Sequence, residues 1–332
     1  MIVVVTRGPL VESRHDVAAC VADARGTVTF ATGDVERPVF LRSCAKPFIA
    51  AAVAASGAAE RFGFGDRELA VMSASHNGEP FHVAAVRGML EAMGLDETSL
   101  RCGAHAPAYE PAADALRAAG EAPSALHNNC SGKHAGILAL CVHLGLDVAT
   151  YLEPEHPAQQ RILALCGRLA DESPAAMPLG IDGCGIPVYA TSLRRAAQSF
   201  ARFATLDGVS DADARALELV RRAMQAEPRY VAGTGRFDTA LIEATGGRIV
   251  AKAGAEGVHG DALVREGLGL TLKVLDGARR AAAPAAIDLL REVGAFAPGE
   301  AEGLRDFAMP VVRNVAGVPV GRVAAEADTI PA

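Results

Sequence analysis

The chain has 332 residues, half of them hydrophobic and 21% charged, a length and balance that suit a globular protein built on one large core or two lobes. Its formal net charge is −7 with a pI near 5.7, and no basic stripe or aromatic-rich face appears, which argues against a nucleic-acid partner. Seven scattered cysteines do not suggest a disulfide framework, and no apolar run approaches the roughly 18 residues of a membrane span, so the expectation is a cytoplasmic protein with reduced thiols or a metal site and no membrane contact.

The first element is the β-branched run at residues 2–6. It is too short for a secretory segment, and Arg7 interrupts it, so it reads as a strand. Residues 16–23 and 27–32 flank an Asp-Ala-Arg-Gly turn and predict a hairpin, with a further short strand at 39–41. The pattern then switches. Residues 46–55 are nearly all apolar and rich in alanine, as expected of a helix buried on every side. Helical patterns follow at 66–72, 80–92, 112–119, 132–144, 156–170, 192–203 and 211–226. Strand character returns at 248–252, 309–313 and 318–324, with a last helix at 284–293. Strands at both ends with helices between them predict an α+β fold: a largely antiparallel sheet from both termini flanked by helices, plus a helical lobe, in one domain spanning 1–332.

One count directs attention to chemistry. Of 32 basic residues only four are lysine: Lys46, Lys133, Lys252 and Lys273. Arginine stays protonated near neutral pH, whereas a desolvated lysine can act as a base or a ligand. Lys46 follows Ser43 by three residues in Ser43-Cys44-Ala45-Lys46, at the root of the apolar helix. That spacing puts hydroxyl and amine on one face, where the amine can take the proton a serine must lose to become a nucleophile. Ser75-His76-Asn77-Gly78 sets a hydroxyl beside an amide, and Lys252-Ala253-Gly254 ends a strand with room for a ligand to lie along it. Ser-x-x-Lys, Ser-x-Asn and Lys-x-Gly, in this order, are the element set of serine β-lactamases and penicillin-binding proteins, here with His76 in place of Asp and Ala253 in place of Thr. A fourth group lies in polar, Gly-rich turns: Cys130 and Lys133, three apart at a helix start, and Cys184 in Asp182-Gly183-Cys184-Gly185. Thiols in such a setting suit a metal or redox site. By spacing alone His127, His134 and Asp182 are more conventional zinc ligands than Lys133.

The segments Arg42-Ser43-Cys44-Ala45-Lys46-Pro47, Ser75-His76-Asn77-Gly78, Asn129-Cys130-Ser131-Gly132-Lys133-His134 and Asp182-Gly183-Cys184-Gly185 resemble the rhizobial-type, thermolabile, inducible L-asparaginases, whose fold is similar to that of serine β-lactamases and glutaminases. The resemblance runs from Val11-Glu12-Ser13 through Val231-Ala232-Gly233 to Lys252-Ala253-Gly254 and beyond. It implies an L-asparagine amidohydrolase with two Ser–Lys pairs, Ser43 with Lys46 and Ser75 with Lys252, Ser43 being the nucleophile and Lys46 its base. It also implies Zn2+ on Cys130, Lys133 and Cys184, helping to hold the substrate rather than to activate water. Arg42, His76, Asn77 and Asp182 would meet the substrate, and the protein would be a homodimer. Ile49 departs from the glutamine usual after the Lys-Pro pair, and Cys44 fills a variable slot. Two other readings use the same residues. One is a glutaminase or other Ser–Lys acyl hydrolase, separated from an asparaginase by a single methylene of substrate. The other is a non-catalytic zinc- or amino-acid-binding protein that leaves the serines as helix caps.

Overall fold

The computed structural model describes residues 1–328 and divides into two compact units. The first comprises Met1–Cys44, Thr191–Thr205 and the described residues from Ala240 onward; the second comprises Ala45–Ala190 and Leu206–Thr239.

The first unit is built on an eight-stranded antiparallel sheet fed from both ends of the chain. Its order is Val311–Arg313, Pro319–Ala325, Ile2–Arg7, Leu10–Asp23, Leu268–Val274, Val258–Leu263 and Ile249–Ala253, with Val28–Thr32 also pairing to Leu10–Asp23. The first and last strands meet directly, Val4 opposite Ala324. Lys252 therefore sits on a strand that ends this order.

The strands Val258–Leu263 and Leu268–Val274 were not foreseen, although each is paired on both sides within the sheet. Every residue of the first is buried, and Gly260, Gly269, His259, Asp261 and Thr271 interrupt any alternation of polar and apolar positions. Both glycines make room for the helix Leu193–Thr205. A Cβ on Gly269 would stand 2.0 Å from the Ala197 carbonyl oxygen, and one on Gly260 would stand 2.2 Å from the Phe200 ring. The buried polar groups are paired: His259 and Asp261 meet at 2.8 Å, and the Thr271 hydroxyl donates to Leu193 O at 2.7 Å.

The second unit is mainly helical. Lys46–Ala55, buried from Lys46 to Val53 as its composition predicted, packs among Asp211–Ala226, Ser131–Leu144 and Pro157–Ala170. Asp66–Met72 lies against Ser131–Leu144 at short range because Gly132 and Gly136 carry no side chain there; a Cβ on Gly132 would stand 2.1 Å from the Val71 carbonyl oxygen. A small hairpin, Leu179–Ile181 with Pro187–Ser192, carries the Cys184 turn and was also unforeseen. Asp238, in the first turn of the helix Phe237–Ala244, is 2% exposed.

Candidate active site

In the first unit Ser43 is half-buried in the 3₁₀ turn Arg42–Ala45. Arg42 enters that turn with φ +50°, a left-handed conformation that costs a non-glycine residue energy and marks a constrained backbone at the serine. The Cys44 thiol donates to the Lys252 carbonyl at 3.0 Å. Gly254 completes the join, since a Cβ there would stand 3.0 Å from Leu41 O and 3.1 Å from Cys44 Sγ. The strand end bearing Lys252 is thus tied to the serine turn through Cys44, the residue the sequence offered only as the occupant of a variable slot. Lys252 is fully buried, and its ammonium donates to Ala253 O at 2.6 Å.

In the second unit Lys46 opens its helix and is 1% exposed. Its Nζ donates to Ala74 O at 2.5 Å, to Ser75 Oγ at 3.1 Å and to Asn129 O at 3.2 Å. Two of these partners are carbonyl oxygens, which only accept; the third is a hydroxyl, which can reverse its direction and donate. Lys46 can therefore lose a proton without an orphaned group, keeping two N–H donors for the carbonyls and offering its lone pair to Ser75. This link between Lys46 and Ser75 is one that sequence spacing did not suggest.

The charge of the same amine also acts on the Cys130 thiol, which links the serine–lysine group to the cysteines electrostatically. Cys130 caps the helix Ser131–Leu144, Lys133 lies in its first turn, and Cys184 sits on the hairpin turn with Lys133 Nζ donating to its sulfur at 2.9 Å. The hydrogen bond from the Cys184 thiol lowers Cys130 well below its ordinary value, overcoming the burial that opposes ionisation; the charges of Lys133 and Lys46 act in the same direction. Cys184 rises in turn, because its proton is the one shared with Cys130. Burial alone would depress Lys133, but the two sulfurs and Asp182 outweigh it and push its ammonium up to about 12. Asp182 is half-exposed and closes the hairpin turn by accepting from the Gly183 amide at 2.8 Å. Two sulfurs and an amine are gathered, but among the described residues no three of His, Cys, Asp and Glu come together, so neither His127 nor His134 completes a conventional zinc set with the thiols.

The Ser75–Asn77 segment is held as a short strand would be: Ser75 N donates to Val231 O at 3.1 Å and Asn77 N to Ala232 O at 3.0 Å. His76 is fully buried. Its Nδ1 accepts from Gly78 N at 3.2 Å, which makes Nε2 the protonated nitrogen, and Nε2 meets Ser131 Oγ at 2.9 Å. Burial, then the neighbouring His82, holds that imidazole neutral, and its bonds fasten the Ser75 segment to the cysteine helix. Asn77 is 2% exposed; its amide donates to Thr234 O at 3.2 Å, while Oδ1 has no protein partner among the described residues. Thr234 is itself clamped by Glu79, which accepts from its amide at 2.7 Å and its hydroxyl at 2.9 Å. Sequence reading passed over Glu79 because a carboxylate next to a helix start looks like an ordinary surface charge.

Comparison with known proteins defines the class as a hydrolase acting on the amide of asparagine. The chain belongs to the L-asparaginase II family, whose profile matches residues 3–325. A search of the curated proteins gives no match. Among solved structures, a β-lactamase from Mycobacterium bovis aligns over 83% of this chain and 94% of its own at 16% identity and a TM-score of 0.41. A D-alanine carboxypeptidase from Burkholderia cenocepacia aligns over 84% of this chain and 93% of its own at 14% identity and a TM-score of 0.37. Neither likeness bears on the activity. The α+β architecture stands on its own strands and helices, with the antiparallel sheet fed by both termini as predicted.

Proposed function

We propose that the protein hydrolyses L-asparagine to L-aspartate and ammonia through a covalent acyl-enzyme on Ser43. The observation that carries this reading is the setting of Lys46: a buried amine held by two carbonyls and one hydroxyl, three residues from a half-buried serine. Lys46 takes the Ser43 proton, and the hydroxyl oxygen attacks the side-chain amide carbon of asparagine. The tetrahedral intermediate collapses with loss of ammonia, whose nitrogen receives a proton from Lys46 or through Ser75. Water then cleaves the β-aspartyl ester, with the same amine moving the proton, and frees Ser43. Lys252, tied to the serine turn by Cys44, supplies positive charge for the substrate carboxylate or the oxyanion.

Zinc fits the remaining cluster. Two sulfurs, one of them held toward the thiolate, and one amine form a buried donor set, and Lys133 would give up its proton to bind. Cys130, Lys133 and Cys184 would hold the ion, which supplies a Lewis-acid contact that helps to hold the substrate. Arg42, Asn77 and Asp182 are proposed to meet the substrate, and His76 to keep the Ser75 loop in place. We further propose a cytoplasmic homodimer; light scattering and cell fractionation test these two points.

Ammonia release from L-asparagine, with L-glutamine run in parallel, tests the substrate. Turnover of asparagine with little from glutamine is the expected result. Preference for glutamine moves the substrate and keeps the chemistry, whereas no ammonia from either contradicts the assignment.

A further inference from the structure

Lys273 is the one lysine that the proposed chemistry leaves unused, and it lines a cavity of about 230 Å³ within the first unit. That volume is below the usual range for drug-sized ligands and suits a small metabolite. Its wall is apolar where Ala18, Leu193 and Val258 line it, and three cations, Arg37, Arg42 and Lys273, share its lining with Asp34 and Glu256. The excess of cations over carboxylates selects an anion, and the apolar wall selects one that carries carbon.

The cations are positioned rather than loose. Lys273 is partly desolvated, and its Nζ donates to Glu256 O at 2.7 Å and to Val274 O, so its ammonium is anchored with one donor to spare. Arg37 sits on a turn closed by Asp34 Oδ1, which accepts from the amides of Glu36 and Arg37 at 3.1 Å each. Glu36 of that turn is paired to Arg194 at 2.5 Å, which pins the turn to the helix Leu193–Thr205. Arg42, in its left-handed backbone, joins the cavity directly to the Ser43 turn.

We propose that this cavity is a second binding site, for a small organic carboxylate held by Arg37 and Lys273. The site is distinct from the Lys46 cluster, all of whose partners named above lie in the other unit, and its binding does not depend on the asparaginase reading.

Calorimetric titration of succinate, and separately of L-aspartate, into the full-length protein tests this. Wild type binds at least one of the two, and Arg37→Ala and Lys273→Met each weaken that binding by about tenfold or more, the loss expected for a charged hydrogen-bond partner. Binding of both ligands through these residues identifies an organic-acid site; binding of L-aspartate alone through these residues identifies an amino-acid site. Arg37 is exposed, so its variant folds even if the anchored Lys273 proves structural, and thermal unfolding checks that. Binding of equal strength in both variants, or no heat from either ligand with wild type, overturns the proposal.

Discussion

Lys46 stands 3.1 Å from Ser75, and the charge of the same amine helps to lower the thiol of Cys130. One buried nitrogen thus couples the serine chemistry to the cysteine cluster, two groups that are separate in the sequence. A change at either group is expected to be felt at the other.

Replacing Lys46 removes the base and leaves two carbonyls, the buried Ala74 O and the half-buried Asn129 O, without that donor. Lys46→Met is expected to lower asparagine turnover by roughly 100- to 10,000-fold, the usual range for loss of a general base. Lys46→Arg restores the charge and not the rate, because a guanidinium does not release its proton. Recovery of more than a small fraction of activity by arginine would remove Lys46 from the role of base.

Ser75→Ala deletes a hydroxyl that can donate to a neutral Lys46 amine. Turnover is expected to fall by roughly 100-fold while the acyl-enzyme still forms, since Ser43 is untouched. Rapid quench followed by mass measurement of the intact protein checks this: an adduct on the Ser75→Ala protein agrees, and none in single-turnover conditions disagrees.

Two glycines hold the site by having no side chain. At Gly132 an added Cβ meets Val71 O at 2.1 Å, and at Gly233, with φ +109°, it meets Asn77 Oδ1 at 2.2 Å. Gly132→Ala is expected to cost about 1–3 kcal/mol of stability through overpacking. Gly233→Ala adds backbone strain to the clash and is expected to raise KM, because it displaces Asn77. Urea unfolding and steady-state kinetics separate the two effects.

Acid should destabilise the fold through buried imidazoles. Burial lowers His82 to about 4 against an ordinary 6.5, outweighing the raising effect of the bond it donates to Arg229 O. Stacked on it, 4.9 Å centroid to centroid, His76 is also held neutral. An unfolded chain binds these protons near 6.5, whereas the folded chain resists them. Stability is therefore complete above about pH 6.5 and falls as pH drops toward 4, by roughly 3 kcal/mol for His82 alone. Denaturation midpoints measured from about pH 7 to about pH 4.5 should show this slope, and His82→Leu should flatten it.

Stoichiometric zinc binding should depend on Cys130 and Cys184. Cys130→Ser is expected to abolish it, while Cys166→Ser, whose thiol burial pushes up to about 12, leaves it unchanged. Metal analysis after dialysis reads the difference, and equal zinc in both variants would place the ion elsewhere.

Much of this architecture is legible in the chain because local pattern and tertiary role agree. The helices Lys46–Ala55, Asp66–Met72, Pro80–Ala92 and Asp211–Ala226 begin and end where apolar periodicity says they should. The strands Val258–Leu263 and Leu268–Val274 are not legible, since burial on both faces erases alternation and glycines there serve a neighbouring helix. The serines, lysines and cysteines of the site stand out by type and spacing. What joins them does not: the Cys44 tether, the Lys46–Ser75 bond and the Glu79 clamp on Thr234 link residues brought together by the fold rather than by a shared helix face.

The central claim is that Ser43 is the nucleophile that cleaves asparagine. Ammonia release from L-asparagine by wild type and by Ser43→Ala, each shown to be folded, tests it most directly. The account predicts steady release by wild type and a loss of roughly 1,000-fold or more in the variant. Near-full release by folded Ser43→Ala would contradict it and assign the reaction to another group.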